Sequence, residues 1–158
     1  MIEPLDGLEI SKLLNKDRYT KKIFRSVTAR GRLPQSVKKL PSVYVINTDY
    51  YFQKGKHWVF IAFFSKYTLF FDSFGINPIY YNFPQIVKRA GAPLILNTLS
   101  LQSQSSSACG YYCIYFIYFL SRGKTLNEIL GHFSKTNKKW NDMYVFHFVR
   151  KLGKVKNE

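Results

Sequence analysis

Residues 57–75 read HWVFIAFFSKYTLFFDSFG, and the fold turns on this stretch. Two runs rich in β-branched and aromatic residues, His57 to Phe64 and Tyr67 to Asp72, are separated only by Ser65 and Lys66. The spacing is that of a tight hairpin without the Asn-Gly chemistry such turns favour, so the runs read as adjacent antiparallel strands. In an antiparallel hairpin the start of one strand lies beside the end of the next. His57 and Asp72 are therefore expected to be neighbours.

Upstream, Val43 to Asn47 is a third β-rich run, and the basic text from Tyr19 to Lys39, punctuated by Gly31 and Pro34, reads as irregular connection. Leu5, Leu8, Leu13 and Leu14, with Ile10 off their stripe, predict a short amphipathic helix over residues 5–16. Downstream, Phe83 to Ala90 reads as a helix, Gly91 to Pro93 as its break and Leu94 to Leu101 as a strand. After the polar Gln102 to Ser107, the run Cys109 to Leu120 is apolar around its whole circumference, the mark of a buried helix. Helices over Leu126 to Phe133 and Asp142 to Lys151 close the chain. The expected class is α+β: a small, mostly antiparallel sheet packed against a central buried helix that carries a nucleophilic cysteine at its N-terminus. With no internal repeat, residues 1–158 are read as a single domain.

At 158 residues, 46% hydrophobic and 18% aromatic, the chain is too apolar to be disordered and long enough for one core. Lys+Arg 24 against Asp+Glu 9 gives +15. Setting aside the first 17 residues, with Lys12 and Lys16 against Glu3, Asp6, Glu9 and Asp17, leaves 22 basic and 5 acidic side chains, or +17. Such a field favours a polyanion. Two clusters, Lys21, Lys22, Arg25, Arg30 and Arg32 in one connecting segment and Lys135, Lys138 and Lys139 in another, are the candidate contacts to non-specific DNA. The longest apolar run, Tyr111 to Leu120, is about half a bilayer span and no signal sequence is seen, so no membrane association is expected and the location is read as intracellular. Cys109 and Cys113 stand four apart in one helix, a poor geometry for a disulfide. With His132 they are too few for a zinc motif, and no metal is expected.

Cys109 follows a run of serines and opens a dense helix, where unpaired amides and the helix dipole stabilise a thiolate. Its competing reading is a buried structural thiol, the role assigned to Cys113. A nucleophilic cysteine needs a base and the base an orienting acceptor. His57 and Asp72 are the pair the hairpin brings together, whereas His132 and His147 read as packed or surface histidines on late helices. Gln102, seven residues before Cys109, is a candidate oxyanion donor, with Gln104 as competitor. Gly110 would let a substrate or neighbouring chain approach the backbone closely.

The order His57-Trp58, Phe71-Asp72-Ser73-Phe74-Gly75, Gln102, then Ala108-Cys109-Gly110 resembles the adenovirus-type cysteine proteases, which share a fold group with SUMO- and ubiquitin-like proteases. The resemblance covers about Phe24 to Leu120. It implies that Cys109 is the nucleophile, His57 the general base, Asp72 its orienter, and Gln102 with the Cys109 backbone amide the oxyanion hole, with Trp58 beside the site. Asp72 stands where the adenovirus enzymes have Glu, a change the wider fold group accommodates. Those enzymes can be activated by a peptide disulfide-linked in the strand before the glutamine. Gly91 to Leu101 contains no cysteine, so covalent activation of that kind is expected to be absent; DNA or a non-covalently bound peptide are the activators the resemblance leaves open, and no cofactor is expected.

The function implied is a monomeric cysteine endopeptidase that matures viral or virus-like-transposon precursor proteins at Gly-containing sites, in host nucleus or cytoplasm and in the virion. An isopeptidase acting on ubiquitin-like modifiers would use the same four residues, and a DNA-binding module with an inert cysteine is the alternative from another class.

Overall fold

The hairpin is present as two paired strands. In the computed structural model, which describes residues 1–34, 36–49, 57–81 and 93–154, Trp58–Phe63 pairs antiparallel with Thr68–Phe71, with Phe60 opposite Phe71 and Phe63 opposite Thr68. In chain order the strands are β1 (Phe24–Ala29), β2 (Ser42–Asn47), β3 (Trp58–Phe63), β4 (Thr68–Phe71) and β5 (Leu94–Leu96), forming a sheet of that same order. The helices are α1 (Gly7–Lys16), α2 (Thr20–Ile23), α3 (Cys109–Leu120), α4 (Leu126–Leu130) and α5 (Lys138–Lys154), with short 3-10 turns at Arg30–Arg32 and Pro78–Tyr81. The fold is α+β with a small mixed sheet. The two inner pairings are antiparallel, but β1–β2 and β4–β5 are parallel, which corrects the mostly antiparallel expectation.

The three inner strands β2, β3 and β4 bury both faces because their side chains alternate and most of them are apolar. Val43, Val45, Phe60, Ala62, Leu69 and Phe71 join the larger core with α1 and α3. Tyr44, Ile46, Val59, Ile61, Phe63 and Phe70 form a second layer on the opposite face with Leu33. Helix α3 packs against the sheet through Phe116 on Phe71, ring centroids 4.2 Å apart, and against α5 through Tyr115 on Phe148 at 4.9 Å. Ten of its 12 residues are buried, as a helix apolar all round requires.

Several expectations change. The segment from Tyr19 is not irregular: it holds α2 and then β1, whose half-buried pattern and single bulge between Phe24 and Ser26 hide a parallel edge strand in basic text. In α1 the buried pair is Ile10 and Leu14, one turn apart, while Leu8 is 81% exposed, so the helix is rotated relative to the leucine stripe. An Asp6–Glu9 capping box fixes its start. Strand β5 stops at Leu96, α4 stops at Leu130, and α5 starts at Lys138. Lys138 and Lys139 therefore lie in a helical turn and not in a connecting segment. The expected helix over Phe83 to Ala90 lies outside the described residues. Among the described residues no helix is long and apolar enough to cross a membrane.

Candidate active site

The site is built at one end of the sheet. The Thr48 amide donates to the His57 carbonyl (2.9 Å), carrying the β2–β3 ladder on to His57. Continuing the β3–β4 register sets His57 opposite Phe74, with Asp72 its diagonal neighbour on the same face. His57 Nε2 lies 2.7 Å from Asp72 Oδ1, and the His57 and Phe74 rings are 5.0 Å apart. Cys109, the first residue of α3, lines the same groove as this imidazole and is among the groups that raise its pKa. With Nε2 taken by Asp72, Nδ1 is the ring nitrogen left for the sulfur. His132 and His147 are exposed on the later elements.

Asp72 is completely buried. Its carboxylate also accepts from the Phe74 amide (2.9 Å) and the Tyr81 hydroxyl. Its backbone is held by Asn97, whose Oδ1 accepts from Asp72 N (2.9 Å) and whose Nδ2 donates to Asp72 O (2.6 Å). The turn after it closes through the Gly75 amide to Asp72 O at 2.8 Å, with Gly75 at φ +69, the left-handed region. A Cβ there would stand 2.8 Å from the carbonyl oxygens of Thr98 and Leu99, so this turn requires glycine.

The same turn positions the glutamine. Ser73 O accepts from the amides of Leu101 (2.8 Å) and Gln102 (3.2 Å), and Ser73 Oγ donates to Gln102 Oε1 (2.6 Å). Gln102 Nε2 donates one hydrogen to Ser106 O (2.8 Å). Its oxygen is engaged and one N–H is spent, and among the described residues the second N–H of this buried amide has no partner. Gln104 is exposed. Both line a groove of about 580 Å³ shared with Leu5, His57, Trp58 and Cys109.

The electrostatics of the site favour a protonated His57. Burial pushes the His57 pKa down, but the hydrogen bonds and negative charges of Asp72 and Cys109 outweigh it and raise the imidazole to about 9. Tyr81 is driven far up by burial and by Asp72, and so remains a donor. Cys113 is fully buried, and burial first, then the charges of Cys109 and Asp72, hold its thiol protonated. Both cysteines are free thiols.

The remaining expected site residues are placed as follows. Trp58 borders the groove and donates its indole N–H to Leu5 O (2.9 Å). Gly110 is not among the residues lining it, and lies under its wall: a Cβ would meet Leu5 Cβ at 3.2 Å, Ile10 Cδ1 at 3.3 Å and Trp58 Cδ1 at 3.4 Å. Its missing side chain thus admits the protein's own N-terminal segment, which forms one wall of the groove. Lys21 and Lys22 are exposed, and Arg25 donates to Ser42 Oγ, Lys22 O and Pro41 O, gathering them with Lys39 at the sheet end remote from His57. Arg30 and Arg32 follow β1 at the opposite end, where Arg30 borders a second depression beyond His57. Lys135, Lys138 and Lys139 sit at the start of α5, with Lys138 Nζ 3.2 Å from Ser100 Oγ. The basic residues therefore fall into three groups along the chain's fold.

Tyr81, Ser73 and Asn97 support the site without being singled out by the sequence. Ser73 adjoins Asp72, and that adjacency was the available signal; a lone asparagine after a short strand carries none. No group of residues suited to a metal ion exists among the described residues. No family model and no curated protein matches the chain.

Proposed function

We propose that the chain is a cysteine endopeptidase of the adenovirus maturation type, acting on precursor proteins of a virus or virus-like element at Gly-containing sites. One observation carries the reading: a single imidazole lies 2.7 Å from a wholly buried carboxylate and shares a groove with a thiol at the start of a buried helix.

In this reading the Cys109 thiolate attacks the scissile carbonyl carbon, and the oxygen takes up the electron pair. That oxyanion accepts hydrogen bonds from the second N–H of Gln102 and from the Cys109 backbone amide. The His57 imidazolium then gives its proton to the departing amine as the C–N bond breaks, leaving a Cys109 thioester. Neutral His57 takes a proton from water, the hydroxide adds to the thioester, and collapse releases the carboxylic acid and the thiolate. Asp72 holds the imidazole and supports its charge. Association with DNA through the exposed lysines accompanies this activity.

The deciding experiment incubates the protein with a peptide vinyl sulfone ending in Gly-Gly. A stoichiometric adduct on Cys109, absent in Cys109→Ala and retained in Cys113→Ala, is expected. An unmodified protein, or an adduct on Cys113, overturns the reading.

A further inference from the structure

The first turns of α5 present two adjacent buried polar residues, Asn141 and Asp142, that no step above uses. Asp142 Oδ1 accepts from the Tyr112 hydroxyl (2.7 Å), and its other oxygen accepts from Ser103 Oγ. The Ser103 amide approaches Oδ1 at 3.4 Å. Asn141 Nδ2 donates to Leu101 O (3.1 Å) and to Ser134 O (2.8 Å), and Leu101 O also accepts from the Tyr112 hydroxyl at 3.2 Å.

These bonds converge on one place. Leu101 and Ser103 flank Gln102 on either side, so the segment carrying the glutamine is held at both of its neighbours from α5. Tyr112 is three residues after Cys109 on α3, one helical turn on. The carboxylate thus ties the element bearing the Gln102 amide to the element bearing the Cys109 backbone amide. Those are the two donors that must stand at a common distance from one oxygen. Burying a carboxylate is costly unless it is well hydrogen-bonded, and here the donors are a phenol, a hydroxyl and an amide, which give bonds of fixed direction.

We propose that Asp142 is a positioning residue for the oxyanion hole, setting the separation of the Gln102 and Cys109 donors from the C-terminal helix. This rests on the protease reading. It predicts a separation of effects: the Cys109–His57 pair, anchored on Asp72 and Asn97, does not depend on Asp142, whereas stabilisation of a tetrahedral oxyanion does.

The test compares wild type, Asp142→Asn and Ser103→Ala in three measurements: Cys109 alkylation by iodoacetamide, which needs no oxyanion donor; kcat and KM on a fluorogenic peptide; and affinity for the matching peptide aldehyde, whose thiol adduct carries the oxyanion. Expected in Asp142→Asn is unchanged alkylation and KM, with kcat and aldehyde affinity falling together by about a hundredfold, the scale of a misplaced donor. Ser103→Ala, which loses one arm at a half-buried position, should show a smaller loss of the same kind and decides the matter if Asp142→Asn does not fold. Alkylation falling in step with kcat, or full turnover in the folded variants, overturns the proposal and leaves the protease reading in place. A wild type that neither turns over peptide nor binds aldehyde overturns both.

Discussion

Replacing Asp72 by asparagine keeps the shape of the side chain and removes its charge. In the native site His57 is raised from 6.5 to about 9 against the opposing effect of its burial. At 1.36 kcal/mol per pH unit, that rise is worth roughly 3 kcal/mol in favour of the imidazolium. Asp72 is the first of the groups that raise it, so Asp72→Asn leaves a buried histidine supported mainly by Cys109. In the proposed mechanism the imidazolium protonates the leaving amine, so cleavage should fall as pH rises through about 9. In Asp72→Asn that falling limb should move toward neutral by about one to two pH units, the usual effect of one adjacent opposite charge. Stability follows with the same sign. A histidine whose pKa is raised on folding stabilises the protein fully below its unfolded value of 6.5 and loses that contribution as pH climbs through 9. The urea midpoint of the native protein should therefore decline across that window, and that of Asp72→Asn should decline less. The assay is kcat/KM on a fluorogenic peptide from mildly acidic solution to a pH of about 10, alongside urea unfolding at the same values. An alkaline limb at the same pH in both proteins would refute the assignment of Asp72 as the group that holds the proton on His57.

Gln102→Ala should lower kcat by a hundredfold or more, roughly 3 kcal/mol in the barrier, while Gln104→Ala cleaves normally; equal effects would show that the exposed glutamine is the donor. Gly75→Ala should destabilise the fold by roughly 2 kcal/mol or more, since it places a Cβ at positive φ against two carbonyl oxygens, and thermal melting checks it. Binding to an arbitrary DNA duplex, followed by fluorescence anisotropy, should weaken steeply with salt, by about 0.9 in logarithmic slope per neutralised phosphate. Lys21→Ala with Lys22→Ala should weaken that binding without changing cleavage, and a flat salt response would show that the charge serves solubility.

The hairpin, the buried helix and the His57–Asp72 pair were legible in the sequence because each rests on short-range information, whereas the choice of Cys109 over a structural reading and of Gln102 over Gln104 rested on the family resemblance. Two β-rich runs separated by Ser65 and Lys66 must pair, and their pairing alone puts His57 beside Asp72. A run apolar on every side, such as Tyr111 to Leu120, can only be interior. What tertiary structure decided lies where a residue's meaning depends on a distant partner. Strand β1 is extended because β2 lies parallel beside it, a pairing that needs a long connection and leaves no mark in local alternation. Leu8 and Ile10 are equally apolar, and only the docking of α1 selects Ile10 for burial. Gly110 reads as an opening for substrate until Leu5 and Trp58 are seen to fill the space above it. Asn97, Asn141 and Asp142 carry no local sequence signal of burial. Each is buried because a partner brought from elsewhere in the chain satisfies its hydrogen bonds, and burial of a polar group is tolerated only where such partners converge.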